Sequence, residues 1–488
     1  MRLIRQVFGQ GPVRGERPAG LASQQPRVWP LAVLLLLLTT LFAVALERNA
    51  ALLLQTYGCL AIGAFFWPRS ASEIFRPLVY SSWWFVLWHF QWVHPDFHAY
   101  MTGAGRIAQG LAPWGPGVPY LYPPLLAQVL FGLTRLFEAL GSSDPSTSVL
   151  WLYRTAQWVA LVVFCEKLAL FVPLGLALLL PLAFEPLWST LWHTQVTIWI
   201  GSLLLAAISS PAWLGALCAG VAIHLKLYGA VILVVWALAG QWRRLVAGGA
   251  ATVLIAVVSF QLLPPSPLWS QWWAQLSAVT VQRGGLRLPG LFGVLGWLGN
   301  ETLFGPTRAL LLLWVTLLGV SAEYRWRKVQ ALGDNLRCFR HLTVWMAAAV
   351  VFSPFAWHHV FFLTLPLLAA LLARDGLPHV AWPLFLSIGM VAGEVDVPAL
   401  SYLRGIGTAV AVSVGYTAWL PNPLPLMRAV WTDVRAYIRE DADWPAPRGG
   451  RHAVPTVPTQ NEMADPSKPD FPAEPWGAEK GSELDRAS

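Results

Sequence analysis

Residues 94–124 read HPDFHAYMTGAGRIAQGLAPWGPGVPYLYPP. They form the first long polar interruption in a very apolar chain. Read as a break between hydrophobic segments, they make the rest of the sequence a membrane scaffold for a site at this level. The stretch opens just past an apolar segment with Asp96 and continues through Tyr100, Arg106 and Gly110 to Tyr120, Tyr122, Pro123 and Pro124. Asp96 is the acidic residue best placed for chemistry.

Composition supports the same division. The chain has 488 residues, 56% hydrophobic and 12% charged, whereas soluble proteins carry roughly 25% charged residues. Repeated apolar runs of about 15–20 residues read as transmembrane helices. Trp gathers at membrane interfaces, which accounts for most of the 28 Trp; the rest are available to line a sugar or lipid groove. Cys59, Cys165, Cys218 and Cys338 show no close pairing and no zinc spacing. No P-loop is present and no G-x-G-x-x-G follows a strand, which argues against nucleotide chemistry.

Working outward, residues 1–29 are a basic N-terminus and 30–93 hold a transmembrane hairpin and a third span. A cleavable signal peptide is the alternative for 30–46, but Glu47 and Arg48 follow at once, so an uncleaved anchor is favoured. Residues 94–147 read as an extracytoplasmic catalytic loop, with the apolar stretch 125–140 lying at the outer interface. Residues 148–418 form a transmembrane core interrupted by a second outer loop, 264–302. Residues 419–488 are rich in Pro and charge and read as a largely disordered cytoplasmic tail. Within it RAVWTDVRAYIRE (428–440) suggests a short amphipathic helix. The expected fold is an all-α polytopic membrane protein, a bundle of about 12–14 transmembrane helices.

Charge placement orients this bundle. The net charge is +8, but it is not a nucleic-acid footprint. With the N-terminus inside, most of the 33 Lys and Arg fall on the cytoplasmic side: in 1–29, in the loop 321–341 and in the tail. Unusual polar residues then collect at the outer ends of the spans. They are Asp96, Tyr100, His193, Thr194, Gln195, Lys226, His358, His359, Glu394, Asp396 and Arg404. A charge inside the bilayer costs roughly 2.5–3.5 kcal/mol on insertion scales, so such residues usually face an interior cavity. Each also has a plainer reading. Asp96 caps a helix, Lys226 snorkels to headgroups, and His193 and Gln195 bond a neighbouring helix. The two adjacent histidines point to different helix faces, which argues against one shared metal.

Four segments carry a family resemblance. The first loop holds D-F-x-x-Y (96–100), G-L-A-P-W (110–114) and Y-x-Y-P-P-L (120–125). It is followed by WHTQVTIW (192–199), AGVAIHLKLYGAVIL (219–233) and SPFAWHHVFFLTLP (353–366). In this order the pattern resembles the polyprenol-phosphate-mannose-dependent mannosyltransferases of glycosyltransferase family 87, integral-membrane enzymes of the GT-C fold. The chain departs from the pattern at Thr194 (Gly in the family), Thr197 (Asn), Gly229 (Pro) and Trp114 (Tyr).

The resemblance implies transfer of a hexose, mannose by family default, from a polyprenyl-phosphate donor to an extracytoplasmic lipid- or glycan-linked acceptor. It implies Asp96 as general base and inversion at the sugar. Lys226, Arg404 and Arg106 would bind the donor phosphate. Tyr100, Trp114, Tyr122, His193, Gln195, Trp357, His358 and His359 would contact sugar or acceptor. No cofactor, metal, nucleotide or nucleic acid is implied; the partners are the donor, the acceptor and membrane lipids. The localisation implied is the cell membrane, with the site on its outer side. Two rival readings share the apolar composition: a secondary transporter, and a flippase or polymerase of lipid-linked sugars. Transporters place charges near the bilayer midplane and often repeat one half in the other; neither pattern is evident here.

Overall fold

The computed structural model describes residues 95–282 almost throughout, together with 304–329, 333–352 and 358–373. It also describes scattered positions at 76–84, 406–416 and 432–433. The first two expected spans, most of the third, much of the outer loop 264–302, the later span at 378–393, much of that at 398–418, and the tail beyond Asp433 lie outside these residues. Among the described residues every regular element is a helix, and the protein is an all-α membrane protein. Three described helices are long and apolar enough to cross a membrane: Pro145–Leu168, Trp242–Leu262 and Ala309–Arg327. Four more apolar helices are shorter, Thr197–Ser209, Ala212–Leu225, Leu227–Leu238 and His359–Leu372.

The stretch read as a loop in fact begins as a helix, α1 (Pro95–Ala108). Proline at the first helical position lacks an N–H that would be unsatisfied anyway. Asp96 in the first turn favours the positive end of the helix dipole. The helix stops at Gly110, which takes the left-handed conformation (φ 72°). There the Leu111 N–H returns to the Arg106 carbonyl and the Gly110 N–H to that of Ile107, a Schellman closure. An irregular stretch through Tyr122 leads into α2 (Pro124–Ala139), again started by proline. α1 and α2 pack together, and Tyr120 is buried where they meet, its hydroxyl donating to the Pro123 carbonyl at 2.7 Å.

After α3 (Pro145–Leu168), the apolar stretch 168–185 does not run as one span. Prolines 173 and 181 interrupt it, so that α4 covers only Leu174–Leu179 and α5 (Glu185–Trp192) begins where the stretch ends, because proline removes a backbone donor and clashes with the preceding turn. The centre of the bundle is α6 (Thr197–Ser209), flanked by α3 on one side and α7 (Ala212–Leu225) on the other. Nearly every side chain of α6 is buried, so its apolar residues go all the way round rather than forming a stripe.

Beyond α7 the chain breaks at Lys226, which has extended backbone. It then makes one 3-10 turn, Leu227–Ala230, before α8 (Val231–Leu238). Gly229 is needed in that turn. A Cβ there would lie 2.5 Å from the Ala222 carbonyl carbon and 2.6 Å from the Ile223 nitrogen. Its N–H also donates to the Lys226 carbonyl at 2.9 Å, a bond the family's proline could not make.

α9 (Trp242–Val257) runs into a π-helical turn, Val258–Leu262, and α10 covers Trp269–Gln282. α11 (Phe304–Val329) and α12 (Asp334–Phe352) meet in a polar knot. Glu323 is wholly buried and accepts from Arg327 Nε at 2.8 Å and from Arg337. His341 bridges it, with Nε2 3.2 Å from Glu323 and Nδ1 2.8 Å from the Tyr416 hydroxyl. Asp433, in the stretch read as the start of the tail, accepts from Ser321 at 2.7 Å and from Arg325 at 2.6 Å. The final described elements are a 3-10 stretch, His358–Thr364, and α13 (Leu365–Leu372).

Candidate active site

Asp96 and Tyr100 lie one turn apart on α1 and so share a face. Tyr122 closes the irregular stretch before α2. The three meet on Gln195, which arrives from the turn between α5 and α6. Gln195 Nε2 donates to Asp96 Oδ2 at 2.5 Å. Gln195 Oε1 accepts from the Tyr122 hydroxyl at 2.9 Å, and the Tyr100 hydroxyl lies 3.2 Å from both Oε1 and the Tyr122 oxygen. Tyr100 is fully buried and Gln195 is 2% exposed, while Asp96 and Tyr122 are half-buried. The carboxylate therefore stands at the rim of a polar cluster whose floor is sealed.

A cation reaches the same place from a fourth segment. Lys226 stands in the break between α7 and the 3-10 turn, with Nζ 5.4 Å from the Tyr122 ring centroid and 5.2 Å from that of Tyr228. Both distances are within cation–π range. Burial pulls the Lys226 amine down from the ordinary lysine range to about 8, and the Asp96 charge partly opposes this. A carboxylate and an ammonium, each half-buried, thus flank one aromatic wall.

The turn that delivers Gln195 is unusual. α5 ends in a Schellman closure: the Gln195 N–H bonds the Thr190 carbonyl at 2.9 Å and the Thr194 N–H that of Leu191 at 3.2 Å. The left-handed position in this motif is normally glycine, as it is at Gly110, Gly141 and Gly240 elsewhere in the chain. Here it is Thr194, at φ 51°. A β-branched residue in that conformation is strained. It is held by the Tyr153 hydroxyl, which donates to the Thr194 carbonyl at 2.7 Å, and by Gln157 Nε2, which donates to the Gln195 carbonyl at 3.2 Å.

Several residues singled out from the sequence sit elsewhere. Arg106 is ten residues along α1 from Asp96, roughly 15 Å at the helical rise. Its guanidinium donates to the carbonyls of Ala112 (2.7 Å) and Trp114 (2.9 Å), clamping the stretch after α1. Trp114 is 3% exposed, and its indole N–H donates to the Tyr122 carbonyl at 3.0 Å. It supports Tyr122 from behind and offers little face of its own. His193 is half-buried, with Nδ1 2.7 Å from the Ser189 carbonyl, and its ring lies 6.0 Å from that of buried His359. Trp357, Arg404, Glu394, Asp396 and the side chain of His358 lie outside the described residues. Among the described residues no three His, Cys, Asp or Glu side chains gather as a metal site.

Tyr153, Gln157 and Tyr228 belong to this arrangement but were not picked out from the sequence. Tyr153 and Gln157 lie inside an apolar span, where a polar side chain is costly unless partnered. That cost was the available signal. Tyr228, two residues from Lys226, had none beyond proximity.

The model of glycosyltransferase family 87 matches residues 120–354. No curated protein and no solved structure matches the chain. The matched region contains Tyr122, Gln195 and Lys226, while Asp96 and Tyr100 precede it.

Proposed function

We propose that this membrane protein, whose residues 120–354 match the model of glycosyltransferase family 87, is a glycosyltransferase that uses a polyprenyl-phosphate sugar as donor. The observation that carries the reading is the convergence of Asp96 and Lys226, from separate segments, on Tyr122 and Gln195. Transfer from a sugar phosphate needs two things: a base for the acceptor hydroxyl and a cation for the departing phosphate.

In this reading Asp96 takes the proton from the acceptor hydroxyl as the acceptor oxygen forms its bond to the anomeric carbon. The bond from that carbon to the phosphate oxygen breaks, and its electron pair leaves on polyprenyl phosphate, which gains one negative charge. Lys226 offsets that charge. The proton on Asp96 passes afterwards to water. One displacement inverts the anomeric centre, and phosphate needs no proton donor to leave. The half-buried setting strengthens both charges relative to water. The sugar is a hexose, mannose by the family's default, and the acceptor is a lipid or glycan on the outer side of the membrane. Arg106, tied to two carbonyls, serves here as a loop clamp. Arg404, Trp357 and His358 remain proposed contacts of donor or acceptor, as do His193 and His359.

The test uses purified protein in nanodiscs, radiolabelled polyprenyl-phosphate mannose and an extract of source membrane lipids. Wild type should move label into a new product. Asp96→Asn should lose at least about 10³-fold of that rate, removal of the base and its charge together. Full activity in Asp96→Asn removes Asp96 as base. Transfer only from another polyprenyl-phosphate sugar changes the substrate and keeps the mechanism. No transfer from any such donor overturns the donor assignment.

A further inference from the structure

Resting on the reading of Asp96 as base, we infer that Gln195 is a positioning residue, holding the Asp96 carboxylate in the rotation from which it takes the acceptor's proton. The primary amide has two unlike ends, a carbonyl that only accepts and an NH₂ that only donates. Burial raises the Tyr100 and Tyr122 hydroxyls well above the ordinary tyrosine range. Both therefore stay protonated and act as donors. A carboxylate only accepts, so the end of Gln195 that faces Asp96 is the NH₂, and Oε1 then faces the two hydroxyls, which can donate to it. The reverse orientation would set carbonyl against carboxylate, two acceptors with no proton between them.

The backbone from which Gln195 extends is pinned at three points. Its N–H is held by Thr190, its carbonyl by Gln157, and the preceding carbonyl by Tyr153. Asp96 by contrast stands at the first turn of α1, where a carboxylate's terminal torsion is broad. The bond from Gln195 to Oδ2 narrows it. At 2% exposure, Gln195 has almost no surface to offer a sugar, so its effect passes through Asp96.

The experiment measures kcat, donor KM and the pH profile of kcat/KM with polyprenyl-phosphate mannose. It compares wild type, Gln195→Met, which keeps length but removes both polar ends, and Gln195→Glu. Gln195→Met should lower kcat about 10²-fold, the cost of a misplaced group, with donor KM within about threefold. The acidic limb of its profile should move to higher pH, which a purely structural role would not produce. Gln195→Glu keeps an acceptor for the tyrosines. Its new carboxyl donates to Asp96 only while protonated, so its rate relative to wild type should fall as the pH rises. An unmoved acidic limb, or a loss confined to KM, overturns the inference and makes Gln195 a direct substrate contact. If Gln195→Met does not fold, Gln195→Glu decides alone, and a pH-independent ratio to wild type overturns it. Failure of the base reading itself shows separately, as activity retained in Asp96→Asn.

Discussion

At the scale of single residues, the informative pair is Lys226 and Asp96. An amine brought down to about 8 by burial is protonated at neutral pH and loses its charge as the pH rises through that value. If its charge holds the donor phosphate, kcat/KM should fall along an alkaline limb near pH 8, because that ratio reports groups of the free enzyme. Lys226→Arg should flatten the limb, since a guanidinium keeps its charge above pH 12. Lys226→Met should lower kcat/KM about 10²-fold at pH 7, the usual cost of one electrostatic contact to developing charge. A Lys226→Met enzyme with wild-type kinetics and profile would leave the lysine as a packing residue over Tyr122 and Tyr228. Trp114 shows how burial redirects a side chain: an aromatic available for stacking on a sugar is instead the support for Tyr122.

At the scale of elements, what matters is how helices end. Gly110, Gly141 and Gly240 close their helices in the left-handed conformation, whereas α5 closes on Thr194. For an L-residue that conformation costs roughly 1–2 kcal/mol. The turn persists because Tyr153 and Gln157 hold it from α3. Thr194→Gly should therefore stabilise the fold by about 0.5–1 kcal/mol after the entropy that glycine adds to the unfolded chain, and raise the thermal midpoint. A lower midpoint would mean that the threonine side chain, which bonds the His193 carbonyl at 2.7 Å, contributes more than the strain costs. Gly229 makes the complementary point: there the small residue serves close approach to α7 rather than a left-handed angle.

At the scale of the molecule, the described residues hold two separate polar centres. One holds Asp96 and Lys226; the other holds Glu323 with Arg327, Arg337 and His341. The second ties α11 to α12, to Tyr416 and, through Ser321 and Arg325, to Asp433. Removing one partner of a buried ion group strands the rest, at about 3–5 kcal/mol. Glu323→Ala should lower the thermal midpoint sharply while leaving donor KM in the surviving folded fraction unchanged. A midpoint equal to wild type would show that the knot is dispensable to the fold, and a changed KM would link it to the site.

The apolar composition alone determined that this is an all-helical membrane protein, because hydrocarbon admits no unpaired backbone and helices pair their own. Asp96, Tyr100, Tyr122, Gln195 and Lys226 could be named as candidates from the sequence, since polar groups beside apolar segments stand out, and the structure brings these five together. Their mutual arrangement was not legible. That Gln195 faces Asp96, that Arg106 clamps a loop and that Trp114 lies beneath Tyr122 depend on contacts between residues up to about a hundred positions apart. Likewise, the apolar stretch 168–185 looks continuous by hydropathy, yet its prolines break it. Hydropathy measures the cost of transfer to the membrane, residue by residue. Packing decides which donor meets which acceptor, and only the folded chain brings those partners together.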